Sequence, residues 1–335
     1  MIPWAKAWLA SQALGARCLH PAWGINPRRY WKYFGTSRLD WLCHRALVHL
    51  LPRRVFSEED YVSTNAIYFD EAISRWAAKT EWLHAKTPWV LELEGMWGGY
   101  ISIYRARPFL RQQLMQATGV DTNLFDLERA APADKVRVAV HIRRGDFAAP
   151  GPPSAIRGRF NESIPIEWYV ATCRDLQRKI GEHLISFLLI SDGTAEETAW
   201  FEREFRPYTT RHLRSTVCSD LLIMSQADLL VCSISSFSMT AAFLGESPYV
   251  WYTPQLTPVD GLLTIWGYEP SQKEPASPTK LAVDAVRRAG APLGRRSVPV
   301  DMQGSVPDWL IESCLCARTR RDRHSDLLLY GACSG

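Results

Sequence analysis

The segment VRVAVHIRRGDF, Val136 to Phe147, runs from alternating valines straight into His141, Arg143, Arg144 and Asp146. Arginine presents five N–H donors in a planar fork that fits phosphate or carboxylate oxygens in pairs. Two arginines beside a histidine and a carboxylate, at the end of an apolar run, are suited to gripping an anion. A second polar group opens the stretch SSFSMTAAFLG, with Ser235, Ser236, Phe237 and Ser238. Serines at a helix start cap it, and the unpaired N–H groups of the first turn attract negative charge. A third group, Ser191 and Asp192, closes the run ISFLLIS. Arginines facing a hydroxyl-rich helix start describe a pocket for a diphosphate. Each group also has a plainer use, since arginines pair with surface carboxylates and serines often only cap.

The elements that must position these groups are legible from Val136 onward. VRVAVHI, ISFLLIS, DLLVCS and PYVWY read as buried strands; PIEWYVATCRDLQRKI, TAEETAWFEREF, SDLLIMSQA and SSFSMTAAFLG read as helices. Apolar strands alternating with amphipathic helices predict an α/β domain built on a doubly wound parallel sheet. Ligands of such a sheet collect beyond the carboxyl ends of its strands, where all three polar groups fall. No GxxxxGK[ST] occurs and no GxGxxG follows a strand, which disfavours a P-loop and a dinucleotide site. DxD and HExxH are absent too, so arginine and a helix terminus would have to neutralise a departing diphosphate without a metal.

The 335 residues allow two domains, with boundaries expected at 1–130, 135–270 and a C-terminal extension over 271–335. A net charge of +4 is too mild to argue for nucleic acid. The 8 cysteines show no CxxC spacing and several, such as Cys232 in DLLVCS, sit in apolar runs, which favours a reducing compartment without a disulfide framework. No run reaches the ~20 apolar residues of a membrane span. MIPWAKAWLASQALGA carries Lys6 within its apolar run and reads as an amphipathic helix rather than a leader peptide. PWVLELEG reads as a strand, and RPFLRQQLMQAT as a helix.

VHIRRGDF resembles the HxRRGD signature of the α-1,2-fucosyltransferases, and the matching segment of the core α-1,6-fucosyltransferases. SDLLIMSQADLLVCSISSFS resembles the second donor segment of the core enzymes, with an SSFS ending more like the α-1,2 family. FLLISDG fits the strand between them, so the likeness covers most of 136–252. It implies a GT-B-like fold of two Rossmann-type domains and a metal-independent, inverting transfer of L-fucose from GDP-fucose to a glycan hydroxyl. No cofactor is implied beyond that donor.

Carried over residue by residue, the resemblance has His141 and Asp220 recognise guanine. Arg143 grips the β-phosphate, Arg144 is a second donor contact, and Asp146 fixes the arginines. Ser236 and neighbouring N–H groups hold the pyrophosphate, with Asp192, Ser235, Phe237 and Ser238 beside them. Core enzymes have a glutamate shortly after the arginine motif; here AAPGPPSAIRGRF follows, leaving Asp146, Glu94 and Glu162 as possible bases. Acceptor contacts are expected from His20, Trp23, Arg28, Arg29 and Trp97, though tryptophans also fill cores. Such families open with a strand and a Gly-Asn loop ahead of the helix that here starts at Met1, so the first domain is expected to be incomplete. The expected setting is the bacterial cytoplasm. Two other readings stay open: transfer of a different nucleotide-activated sugar, and a non-catalytic remnant that binds GDP.

Overall fold

In the computed structural model, residues 1–19, 33–34, 38–80, 88–93, 95, 98–120, 131–132, 134–147, 162–210, 216–245, 247–259, 262–264 and 297–316 are described. They divide into two compact units, one up to Val120 and one from Ala131 onward.

In the first unit, helix α1 (Ile2–Leu14) has Pro3 in its first turn, where a fixed φ costs nothing. It stops at Gly15, whose φ of 62° lets its N–H return to Ser11 O. Then come α2 (Arg38–Leu50), strand β1 (Arg53–Phe56), α3 (Glu58–Ser63) and α4 (Phe69–Ala77). Strand β2 (Val90–Leu93), α5 (Gly99–Ser102) and α6 (Arg107–Met115) complete the series. β1 and β2 pair in parallel, Arg53 opposite Val90 and Phe56 opposite Leu93. Trp4 and Leu9 of α1, Phe56, Phe69 and Ile73, and Leu110 of α6 are buried, and α1 packs on α4.

The helix read at the start of the sequence forms, but Lys6 lies inside rather than on a solvent face. Its side chain is buried, with Nζ donating to Gly95 O at 3.2 Å and lying over the Phe69 ring. Loss of hydration pushes its pKa down to about 7, against the pull of Glu58.

The second unit is α/β with a six-stranded parallel sheet, compatible with a Rossmann-like fold. Its elements are β3 (Val136–Ile142), α7 (Ile166–Ile180), β4 (Ile185–Ser191), α8 (Ala195–Phe205), β5 (Tyr208–Thr209) and α9 (Val217–Gln226). β6 (Leu229–Val231), α10 (Ser236–Leu244) and β7 (Tyr249–Tyr252) follow, then a β8–β9 hairpin (Thr257–Val259, Leu262–Thr264) and β10 (Ser297–Val300). The order across the sheet is β10-β7-β6-β3-β4-β5. The chain therefore winds outward from β3 to β5, returns to β3's other side, and winds outward again through β6, β7 and β10. The reversal falls between β3 and β6, which is where open α/β sheets part their loops and leave a crevice.

All seven residues of β3 are buried, as expected of a central parallel strand covered on both faces. α8 begins with a Thr194–Glu197 capping box and α9 with one from Thr216 and Ser219.

The sheet reaches past residue 270, where the sequence places the start of an extension. β10 pairs along β7, Ser297 opposite Tyr249, and carries Pro299 on an edge strand, where proline within a sheet is tolerated. Beyond it, the Trp168 indole N–H donates to Asp301 O at 2.9 Å, and the Val306 N–H donates to Asp175 Oδ2 at 2.9 Å. Lys179 Nζ pairs with Asp308 at 2.7 Å, where helix α11 begins over 308–316. These contacts fasten the segment to α7.

Candidate functional site

Three strand ends meet at the carboxyl edge of the sheet, and the reversal point joins two of them. β3 ends in His141 and Ile142; Arg143 and Arg144 follow in the turn. Ser233, just past β6, binds both sides of that turn. Its hydroxyl donates to His141 O at 2.7 Å and accepts the Arg143 backbone N–H at 2.9 Å. With its proton committed to the carbonyl, Ser233 Oγ also accepts from the buried Tyr169 hydroxyl of α7, 2.7 Å away. The end of β3 is thus fastened to the start of the β6–α10 turn.

Helix α10 is capped by Ser235, whose Oγ accepts the Ser238 N–H at 3.2 Å. Ser238 Oγ accepts the Ser233 N–H at 3.2 Å and lies 2.7 Å from His141 Nδ1. Ser236 is exposed at the first helical position, with Phe237 half-buried and its ring 5.2 Å from that of His141. His141 itself is only 3% exposed. Its pKa is pushed down to about 3, first by burial and then by the positive charge of Arg143. It is a neutral imidazole that ties β3 to α10.

The arginines divide their work. Arg143 keeps 23% of its side chain in solvent and stands between two carboxylates. Nη1 lies 2.6 Å from Asp192 Oδ2, and Nη2 lies 2.6 Å from Asp146 Oδ1. Phe147 lies against the guanidinium, 5.4 Å from ring centre to Cζ. Asp146 is much the more exposed partner, at 63% against 33% for Asp192. Arg144 turns inward instead: its Nη1 donates to Ile164 O at 2.8 Å and the residue is buried. Its backbone N–H donates to Asp192 Oδ1 at 2.8 Å, so Asp192 holds both arginines at once.

Gly145 makes that arrangement possible. Its φ is 21°, and a Cβ there would come 2.2 Å from Asp192 Oδ2. Gly193 is similarly confined, because a Cβ would meet Arg144 Cγ at 2.7 Å.

The structure thus gathers His141, Arg143, Arg144, Asp146, Asp192, Ser235, Ser236, Phe237 and Ser238 at one edge of the sheet. Asp220 stands in the first turn of α9, half-buried. Since α9 leads back to the start of the parallel strand β6, its first turn lies toward the same edge. Glu162 is half-buried, and its carbonyl accepts from Gln255 Nε2 at 3.0 Å. Glu94, His20, Trp23, Arg28, Arg29 and Trp97 lie outside the described residues.

Sequence reasoning missed Tyr169 as a site residue. It sits in the apolar run WYV of α7 and reads as core, and its hydroxyl's partner comes from 64 residues away. Among the described residues, no three His, Cys, Asp or Glu side chains gather as a metal site requires.

The first unit holds an open groove of about 650 Å³, lined by Trp8 and Gln12 of α1, Asp70, Glu71 and Arg75 of α4, and Arg105. Arg105 fills much of its own bonding there, with Asp70 Oδ2 and Glu71 Oε1 each at 2.7 Å and Tyr68 beneath the guanidinium at 4.2 Å.

No protein-family model matches the chain, and no curated protein matches it.

Proposed function

We propose that the second unit binds a guanosine diphosphate sugar at the carboxyl edge of its sheet, and that the protein transfers L-fucose from GDP-fucose to a glycan hydroxyl with inversion. The chain would then be a GT-B-type glycosyltransferase whose six-stranded unit carries the donor.

One observation carries this reading. Arg143 follows β3 at the reversal point of the sheet, its backbone tied through Ser233 to the serine-capped start of α10 and its guanidinium fixed by Asp192 and Asp146. Helix N-terminal N–H groups and arginine are the two means by which proteins most often hold phosphate oxygens. The guanosine and the fucose come from the resemblance of VHIRRGDF and SQADLLVCSISSFS to the fucosyltransferases.

In the proposed reaction, the acceptor oxygen bonds to the anomeric carbon as the bond from that carbon to the β-phosphate oxygen breaks. GDP leaves with the electron pair, and a carboxylate takes the acceptor proton. Arg143 stabilises the growing charge on the β-phosphate, an effect that ion-holding donors contribute mainly in the transition state. Arg144 serves as the brace beneath, and Asp192 fixes both arginines. A pyrophosphate arriving at Arg143 displaces Asp146, the exposed partner, and a displaced Asp146 is available as base. Positive charge from Arg143 and the helix start lets the departure proceed without a metal.

A donor screen tests the reading. The protein is incubated with GDP-fucose, other GDP-sugars and UDP-sugars in the presence of mixed glycan acceptors, and products are read by mass spectrometry. A deoxyhexose added from GDP-fucose alone supports it. Transfer from a UDP-sugar, or GDP release undiminished in Arg143→Ala, overturns it.

A further inference from the structure

Helix α2 turns its oily side outward. Along RLDWLCHRALVHL, a rotation of 100° per residue aligns Leu39, Leu42, Cys43, Ala46 and Leu50 in one stripe. On a helix of a globular protein such a stripe ordinarily faces the core. Here Leu39 is 70% exposed, Leu42 54% and Leu50 80%, with Leu47 also exposed on the shoulder of the stripe. Cys43 and Ala46 are exposed as well, while His44 and Val48 on the opposite side are half-buried. Among the described residues, α2 makes no extensive packing contact with another element.

We propose that this face of α2 lies on an anionic lipid surface. Charge decides for that occupant. Residues 38–54 include Arg38, Arg45, Arg53 and Arg54 against Asp40 alone, four positive charges less one negative, or +3 before the two histidines. The helical rotation puts Arg45 and His49 on one flank of the leucine stripe. Arg53 extends that flank: its Nε donates to Val48 O at 2.9 Å and its Nη2 lies 3.3 Å from His49 Nδ1, with Glu92 at 3.8 Å from its Nη1. The acidic turn of Glu58, Glu59 and Asp60 comes only after β1, at the start of α3.

An apolar stripe with an arginine flank is the pattern of a helix lying in the headgroup plane. Leucines enter the acyl boundary while guanidinium groups meet lipid phosphates. At 13 residues the helix is roughly 20 Å long, too short to cross a bilayer and long enough to lie on one. A second copy of the chain fits less well, because it would bring two positive segments face to face.

The full chain is sedimented with vesicles of phosphatidylcholine alone and of phosphatidylcholine mixed with phosphatidylglycerol. Binding to the anionic vesicles only is expected, weakening at about 1 M salt, where the screening length shrinks to ~3 Å. Leu42→Ser and Leu50→Ser should each reduce partitioning about tenfold, and Arg45→Glu should reduce it on anionic vesicles. Leu42→Phe and Leu50→Phe should retain it. Circular dichroism should be unchanged in each variant, since these side chains touch solvent. Equal sedimentation with and without anionic lipid, no sedimentation with either, or a dimer in ultracentrifugation that Leu50→Ser dissolves would each overturn the proposal.

Discussion

Asp192 holds both arginines that follow β3, with Oδ2 2.6 Å from Arg143 Nη1 and Oδ1 accepting the Arg144 N–H at 2.8 Å. One carboxylate therefore sets the direction of the side chain that meets solvent and the path of the backbone behind it. Asp192→Asn keeps the shape but must point an N–H₂ at one of two donors. We expect a loss of about 1–3 kcal/mol in stability and weaker GDP binding, measured by denaturant unfolding and by titration. Unaltered GDP affinity would show that Arg143 is positioned by something else.

Gly145→Ala should act through the same contact. The new methyl would come 2.2 Å from Asp192 Oδ2, at a φ of 21° that side chains avoid. Expansion of the turn should cost about 1–3 kcal/mol and loosen GDP at the same time. A variant with wild-type affinity for GDP would mean that this turn is not part of the pocket.

Asp146→Asn is expected to do the opposite. Asp146 occupies Arg143 from the solvent side, and exposed pairs of this kind contribute ~0.2–1 kcal/mol. Removing the competing charge should tighten GDP by about two- to fivefold, while turnover falls if Asp146 also serves as base. Weaker GDP binding in this variant would assign Asp146 to holding the donor instead.

Two buried groups make the two units more stable as pH rises, each over its own range. His141 is held neutral, with its pKa near 3 in the fold against an ordinary 6.5. Between those values the unfolded chain binds the extra proton, so stability should fall as pH drops from about 6.5 toward 3, by at most ~1.4 kcal/mol per unit. His141→Asn should flatten that acid limb. Lys6 is lowered to about 7 from 10.5, so the unfolded chain again holds more protons between those values. Its contribution to the first unit should rise from pH 7 toward 10.5, and Lys6→Met should remove that rise. Unfolding measured by tryptophan fluorescence across both ranges checks each slope.

The sequence made the inner sheet legible because long apolar runs and amphipathic helices alternate from Val136 to Tyr252. β5, with two residues, carries no period to read, and Pro299 disguises β10 as tail. α2 and β1 were hidden for a different reason: the leucines of α2 face outward, and Arg53 and Arg54 fill half of β1. The grouping of His141, Arg143, Asp192 and the serines was readable, since all stand at strand ends of one parallel domain. Which of them turn outward was not. A strand buried on both faces gives no alternation to orient His141, and neighbouring arginines look alike until one finds the Ile164 carbonyl. Tyr169 and Ser233 join the site through contacts across 64 residues, which no local spacing announces.

Calorimetric titration of GDP into the wild-type chain and into Arg143→Ala bears most directly on the anion pocket. The account predicts saturable binding by the wild type. The variant should bind roughly ten- to a hundredfold more weakly, the value of hydrogen bonds to a charged group, while unfolding as the wild type does. Equal affinity in the two proteins, or a wild type that takes up UDP as readily as GDP, would contradict it.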